Sequence, residues 1–131
     1  MDENNLTYTS TMNERIIIAE SESIIALDIK MQLVQMGYKV PAISNSSEET
    51  LKLIKKIKPD IIITNVKTSG KLDGIDTIKK IRKKNNTPVL FVTTYNDNET
   101  IERIKEIKNS NYLSKPFNPD DLHDALNTLH N

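Results

Sequence analysis

The residues best equipped to do chemistry in this sequence are Glu20, Ser21 and Glu22, then Asn65 with Lys67 close behind, then Thr93 and Thr94, and last Lys115 beside Pro116. Each group follows a short β-branched or aromatic run, the place where a strand hands over to a loop. In open α/β sheets, polar side chains at the C-terminal ends of neighbouring strands converge on one crevice, where such folds hold their ligands. Carboxylates in that crevice can offer hard oxygens to a divalent cation. The third run, however, ends in an amide. A carboxylate there is a usable nucleophile, whereas a neutral carboxamide oxygen is a poor one. Asn65 therefore decides much of what the crevice can do.

The elements that must position these residues alternate from Arg15 onward. Strand-like runs fall at Ile16–Ile18, Lys39–Ile43, Ile61–Ile63, Val89–Val92 and Tyr112–Leu113, and a helical pattern follows each. Ile24, Leu27, Met31 and Val34 form the stripe of the first helix, and Leu51, Ile54 and Ile57 that of the second. The third reads Ile75, Ile78 and Ile81, the fourth Ile101, Ile104 and Ile107, the fifth Leu122, Ala125, Leu126 and Leu129. Ser46 with Glu49 predicts a capping box, Asn118-Pro119 an N-cap followed by a first-turn proline, and Gly37 the end of the first helix. Five strand–helix units predict an α/β fold, a doubly wound five-stranded parallel sheet with five helices on its two faces. The basic cluster Lys79–Lys84 reads as a solvated helix face.

Composition narrows the function classes. The 131 residues suffice for one domain, and 18 basic residues balance 18 acidic ones, so nothing argues for direct nucleic-acid or membrane binding. No cysteine is present, which excludes disulfides and thiolate chemistry within this chain. Residues 1–13 are polar and aperiodic and read as a disordered lead or an expression remnant, with the folded domain over 14–131. A soluble cytoplasmic protein is the expectation. His123 and His130 have no acidic or cysteine partner at ligand spacing and read as solvent-facing.

Five segments in order, Ile16–Glu22, Pro59–Asn65, Asp73–Ile75, Pro88–Tyr95 and Tyr112–Phe117, make residues 15–130 resemble a response-regulator receiver domain of two-component signal transduction, a flavodoxin-like fold. The resemblance implies two acids after the first strand and an aspartate after the third that together hold Mg²⁺, the aspartate taking a phosphoryl group from a sensor histidine kinase. It further implies a threonine switch at Thr93, a phosphoryl pocket of residue 65, Thr93, Thr94, Lys115 and Pro116 with a cis Lys-Pro peptide, and an aromatic switch at Tyr112. Partners implied are a sensor histidine kinase or another receiver or output protein, and a homodimer through the fourth helix, fifth strand and fifth helix.

Two positions depart from that pattern. Asn65 stands where the acceptor aspartate belongs, and Ser21 stands where the second acid belongs, although Ser21 also reads as an N-cap of the first helix. What remains for a metal is Glu20, the Asn65 amide oxygen and the Lys67 backbone carbonyl, so Mg²⁺ is expected to bind weakly or not at all. Glu20 and Lys115 then balance, and an ion pair between them, helped by Ser21, Asn65 and Thr93, would satisfy both without metal. The function expected is an atypical receiver, not an enzyme, that is not phosphorylated at Asn65 and acts by protein–protein binding. The alternatives are a genuine phosphoacceptor in which Asn65 is an engineered change or which uses another residue such as Thr64 or Ser69, and, remotely, a flavin-binding electron carrier. The charged loop Glu20-Ser21-Glu22 would repel a flavin phosphate.

Overall fold

The computed structural model describes residues 13–94 and 97–130, so the lead expected over 1–13 lies, apart from Asn13, outside the described residues. The elements follow in strict alternation: β1 (Arg15–Ala19), α1 (Ser23–Gln35), β2 (Lys39–Ser44), α2 (Ser47–Ile57), β3 (Ile61–Asn65), α3 (Gly74–Arg82), β4 (Val89–Thr93), α4 (Asn98–Lys105), β5 (Ser110–Ser114) and α5 (Pro119–His130). All strand pairs are parallel, and the sheet order is β2-β1-β3-β4-β5. The order reverses at β1, which puts the ligand crevice of such a sheet above the ends of β1 and β3.

The three central strands are covered on both faces, which is why they read as unbroken apolar runs. Ile16, Ile18, Ile61, Ile63, Leu90 and Val92 point to one side and pack with Ile29, Leu33, Leu122 and Leu126. Ile17, Ile62, Val89 and Phe91 point to the other and pack with Ile54, Ile75, Ile78 and Ile104. The helix ends predicted at Ser46, Asn118 and Gly37 form, with the Glu49 carboxylate accepting from the Asn45 N–H at 2.9 Å rather than from that of Ser46. The Ser46 hydroxyl accepts from the Glu49 N–H at 3.1 Å, and Asn118 and Asp121 cap each other reciprocally at 2.8 and 3.1 Å. Gly37 adopts φ +97°, the left-handed turn that a glycine makes freely at a helix C-terminus.

One stripe faces the opposite way from its prediction. Ile24, Leu27, Met31 and Val34 are 86%, 54%, 56% and 52% exposed, while Ala26, Ile29 and Leu33 of the same helix face the sheet. The α1 sequence is apolar on both sides, so two interleaved sets with helical spacing compete for the core. The set containing the small Ala26 lets the helix approach the strands closely, and it is the buried one.

Tyr38 supplies a testable point at the exit of α1. The ring is 2% exposed, and its hydroxyl has no hydrogen-bond partner among the described residues. Burial, with the Glu14 carboxylate as a second contribution, pushes the phenol up to about 12. A phenol pKa raised in the folded state contributes stability that is whole below the unfolded value of about 10 and fades as pH rises from there. Urea unfolding should therefore show stability falling above pH about 10, less steeply in Tyr38→Phe. At neutral pH that variant should gain about 1 kcal/mol, because it removes an unpaired buried hydroxyl.

Candidate functional site

Register brings the site together. Ala19 pairs with Thr64, so Glu20 and Asn65 leave adjacent strands side by side. Glu20 is 3% exposed, and three donors converge on its carboxylate. Lys115 Nζ lies 2.9 Å from Oε1, the Asn65 Nδ2 lies 3.1 Å from Oε1 and 3.4 Å from Oε2, and the Glu22 backbone N–H donates to Oε2 at 3.2 Å. Lys115 is held in reach by its N–H bond to the Thr93 carbonyl at 2.9 Å, and its peptide to Pro116 is cis. A buried ion pair of this kind stands only if hydrogen bonds occupy the remaining lone pairs. Here they do. The donor beside Asn65 and Lys115 is the Glu22 backbone rather than the Ser21 hydroxyl, a contact to which no side-chain pattern in the sequence points.

A cavity of about 490 Å³ opens above this cluster, and Ser21, Asn65, Lys67, Ser69, Thr94 and Lys115 line it. Thr93 and Pro116 do not line it. Thr93 is 1% exposed and, by strand alternation, turns to the face that carries Phe91. Pro116 lines a separate hollow against α1 with Ile24, Ile29 and Phe117. Ser21 does not cap α1. Glu22 occupies the N-cap position without a side-chain bond, and the helix starts one residue later than a Ser21 cap requires. Thr64 is buried, with its hydroxyl donating to the Asn65 carbonyl at 3.0 Å. Tyr112 is half-buried against the cluster around Phe91 and Ile104. Among the described residues, no three His, Cys, Asp or Glu side chains gather as a metal site, and no helix is long and apolar enough to cross a membrane.

A family model for the response regulator receiver domain matches residues 16–127. The chain belongs to that family. It is 32% identical over 112 residues to the transcriptional regulatory protein PdtaR of Mycobacterium tuberculosis, covering 86% of this chain and 54% of that protein. It is 28% identical over 116 residues to sporulation initiation phosphotransferase F of Bacillus subtilis, covering 88% and 92%. The receiver domain of Francisella response regulator 1452 superposes with a TM-score of 0.79 at 32% identity, covering 90% of this chain and 97% of that one. The chain spans about half the length of several curated relatives it matches, PdtaR included.

Two sets of contacts in this receiver domain hold the two ends of the loop between β3 and α3, whose residues Lys67, Thr68 and Ser69 line the pocket. The loop between β3 and α3 is fastened to the start of α2: Ser47 N–H donates to the Ser69 carbonyl at 2.9 Å, and Lys71 N–H donates to the Glu48 carboxylate at 3.1 Å. Gly70 makes this possible with φ +108°, and a Cβ there would strike the Ser47 and Glu48 side chains. On the other side, Asp73 accepts the Asp76 N–H at 2.8 Å as the cap of α3, and its second oxygen takes Arg103 from α4 at 2.9 Å. The Asp73 carboxylate raises the Arg103 pKa, so the guanidinium stays charged and the clamp persists.

Proposed function

We propose that this receiver domain accepts no phosphoryl group at residue 65, has no enzymatic turnover of its own, and signals by binding another protein of a two-component system. The observation that carries the reading is the Asn65 amide donating to Glu20 beside Lys115. An aspartate at 65 would set one carboxylate against another at that distance and would call for a cation between them. The amide turns that repulsion into a hydrogen bond. Magnesium binding is then weak or absent, because the oxygens of Glu20, the one acid buried among the described residues, are already engaged by an ammonium and two N–H donors.

The binding part of the proposal draws on α1. Among the described residues, the large exposed apolar side chains are Ile24, Leu27, Met31, Val34 and Ile43, none of them on the face made by α4, β5 and α5. The four on α1 recur at intervals of three, four and three, the seam with which one helix packs on another. A helical surface of a sensor kinase or output protein suits it better than a homodimer through α4, β5 and α5.

Intact mass after incubation with acetyl phosphate and Mg²⁺ tests the reading. The native chain is expected to stay unmodified, and an Asn65→Asp, Ser21→Asp double variant is expected to gain one phosphoryl group. A labile phosphoryl group on the native chain would overturn it. Ser69 keeps a second reading in view, since it lines the same cavity; peptide mapping of any modified chain would show whether it is the acceptor.

A further inference from the structure

At the end of the sheet where the strands begin, α2 and α3 leave an apolar crevice of about 190 Å³ with Leu51, Ile54 and Ile81 in its wall. A second hollow of about 400 Å³ shares Ile54, Lys55 and Lys84 with it and is also lined by Lys58 and Pro59. Lys55, Lys80 and Lys84 line the crevice and are exposed. Positions 51–58 and 79–84 together hold nine of the 18 basic residues of the chain and no acidic residue.

A solvated helix face, favoured by the dipole at the C-termini of α2 and α3, accounts for the exposure of these lysines, and their pairing sets some of them apart. On α2, Lys52 with Lys55 and Lys56 sit three and four positions apart, where like charges destabilise a helix by a few tenths of a kcal/mol per pair. Lys79 pairs with Glu106, and Arg82 turns to the carbonyls of Lys108 and Asn109. Lys55, Lys58, Lys80 and Lys84 have no carboxylate within 4.0 Å among the described residues. Three cations without a carboxylate partner thus rim the apolar slot, and Lys58 lines the hollow beside it. A slot recessed between two helices suits one inserted side chain, not a bilayer. It has no aromatic lining on which a base would stack.

We infer that this crevice docks an acidic peptide segment of a partner protein, with one apolar side chain seated on Leu51, Ile54 and Ile81 and flanking carboxylates meeting Lys55, Lys80 and Lys84. The site lies at the opposite end of the strands from Asn65 and does not depend on the reading of that pocket.

The test titrates the full chain into a fluorescein-labelled peptide of glutamates around a single central leucine, in about 0.1 M salt so that distant charges are screened. Amide shifts of the isotopically labelled chain are followed in parallel. The expected result is saturable binding, with shifts centred on Leu51, Ile54 and Ile81. Replacing the leucine of the peptide by serine should weaken it about tenfold, the effect of one unburied side chain. Lys55→Glu, Lys84→Glu should weaken it about tenfold or more, whereas Lys39→Glu, Lys108→Glu, an equal charge change elsewhere on the surface, should leave it within about twofold. All four positions are exposed, so both variants are expected to melt as the native chain does. The inference is overturned by no saturable binding, by equal binding of the serine peptide, or by equal losses in the two variants. It is also overturned if a single-stranded oligonucleotide or phosphatidylserine vesicles occupy the same residues and displace the peptide.

Discussion

Replacing Lys115 by methionine is expected to lower the stability of the domain by about 3–5 kcal/mol, the range for removing one partner of a buried ion pair. The variant keeps an apolar stem at the pocket and deletes only the ammonium, leaving the Glu20 carboxyl without its counter-charge at 3% exposure. Asn65 and Glu22 still donate to it, but neither carries a charge. The decisive comparison is the double variant Glu20→Gln, Lys115→Met. Neutralising both partners should restore stability to within about 1–2 kcal/mol of the native chain, because buried pairs are often matched by neutral residues of similar shape. Urea unfolding of the three proteins reads both effects. A single variant as stable as the native chain would mean that solvent reaches Glu20 and that the pocket is not closed on itself.

The second large effect is expected at Gly74. Alanine normally favours a helix over glycine by about 1 kcal/mol, so local preference alone predicts a gain from Gly74→Ala. Packing reverses the sign. A Cβ at position 74 would lie inside the contact distance of the Asn65 carbonyl oxygen and close against the Thr64 hydroxyl. The Gly74 N–H also donates to the Val66 carbonyl at 2.7 Å, so the start of α3 and the end of β3 are held together by backbone on both sides and neither can yield cheaply. A net loss of about 3 kcal/mol is expected, at the upper end of overpacking effects. Amide shifts should change most at Thr64, Asn65 and Val66, beneath the pocket. An alanine variant as stable as the native chain would show that α3 can slide away from the strand.

How much of this was legible in the residues depended on whether the deciding force was local. The three central strands could be read because burial on both faces leaves short apolar β-branched runs, and the edge strands from their place in the alternation with helices. The caps at Ser46 and Asn118 could be read because capping is chemistry between residues three apart. The face of α1 could not, since two apolar sets share the helix and only the shape of the sheet chooses between them. Glu20, Asn65 and Lys115 were legible as a group because strand ends in this topology converge. The donor from Glu22 and the bonds joining Ser47 and Glu48 to the loop around Gly70 were not. Backbone groups supply at least half of each contact, and the backbone is the same at every residue.

The side chains at the helix ends have a consequence of another kind. Carboxylates occupy the first turns of α2, α3, α4 and α5, and lysines or arginines the last turns of α2, α3 and α4. All of these helices cross the sheet in the same sense, so the pattern adds up over the whole molecule. A protein whose formal charge is zero is in this way an electric dipole, negative where the pocket opens and positive where the strands begin. Its eleven-residue helix α2 is about 16 Å long, more than the Debye length of about 8 Å at physiological ionic strength. An approaching partner therefore senses one pole at a time. Capture rates should fall with added salt as they do for a highly charged protein, and the chain should bind to both anion and cation exchangers near neutral pH, each by a different end.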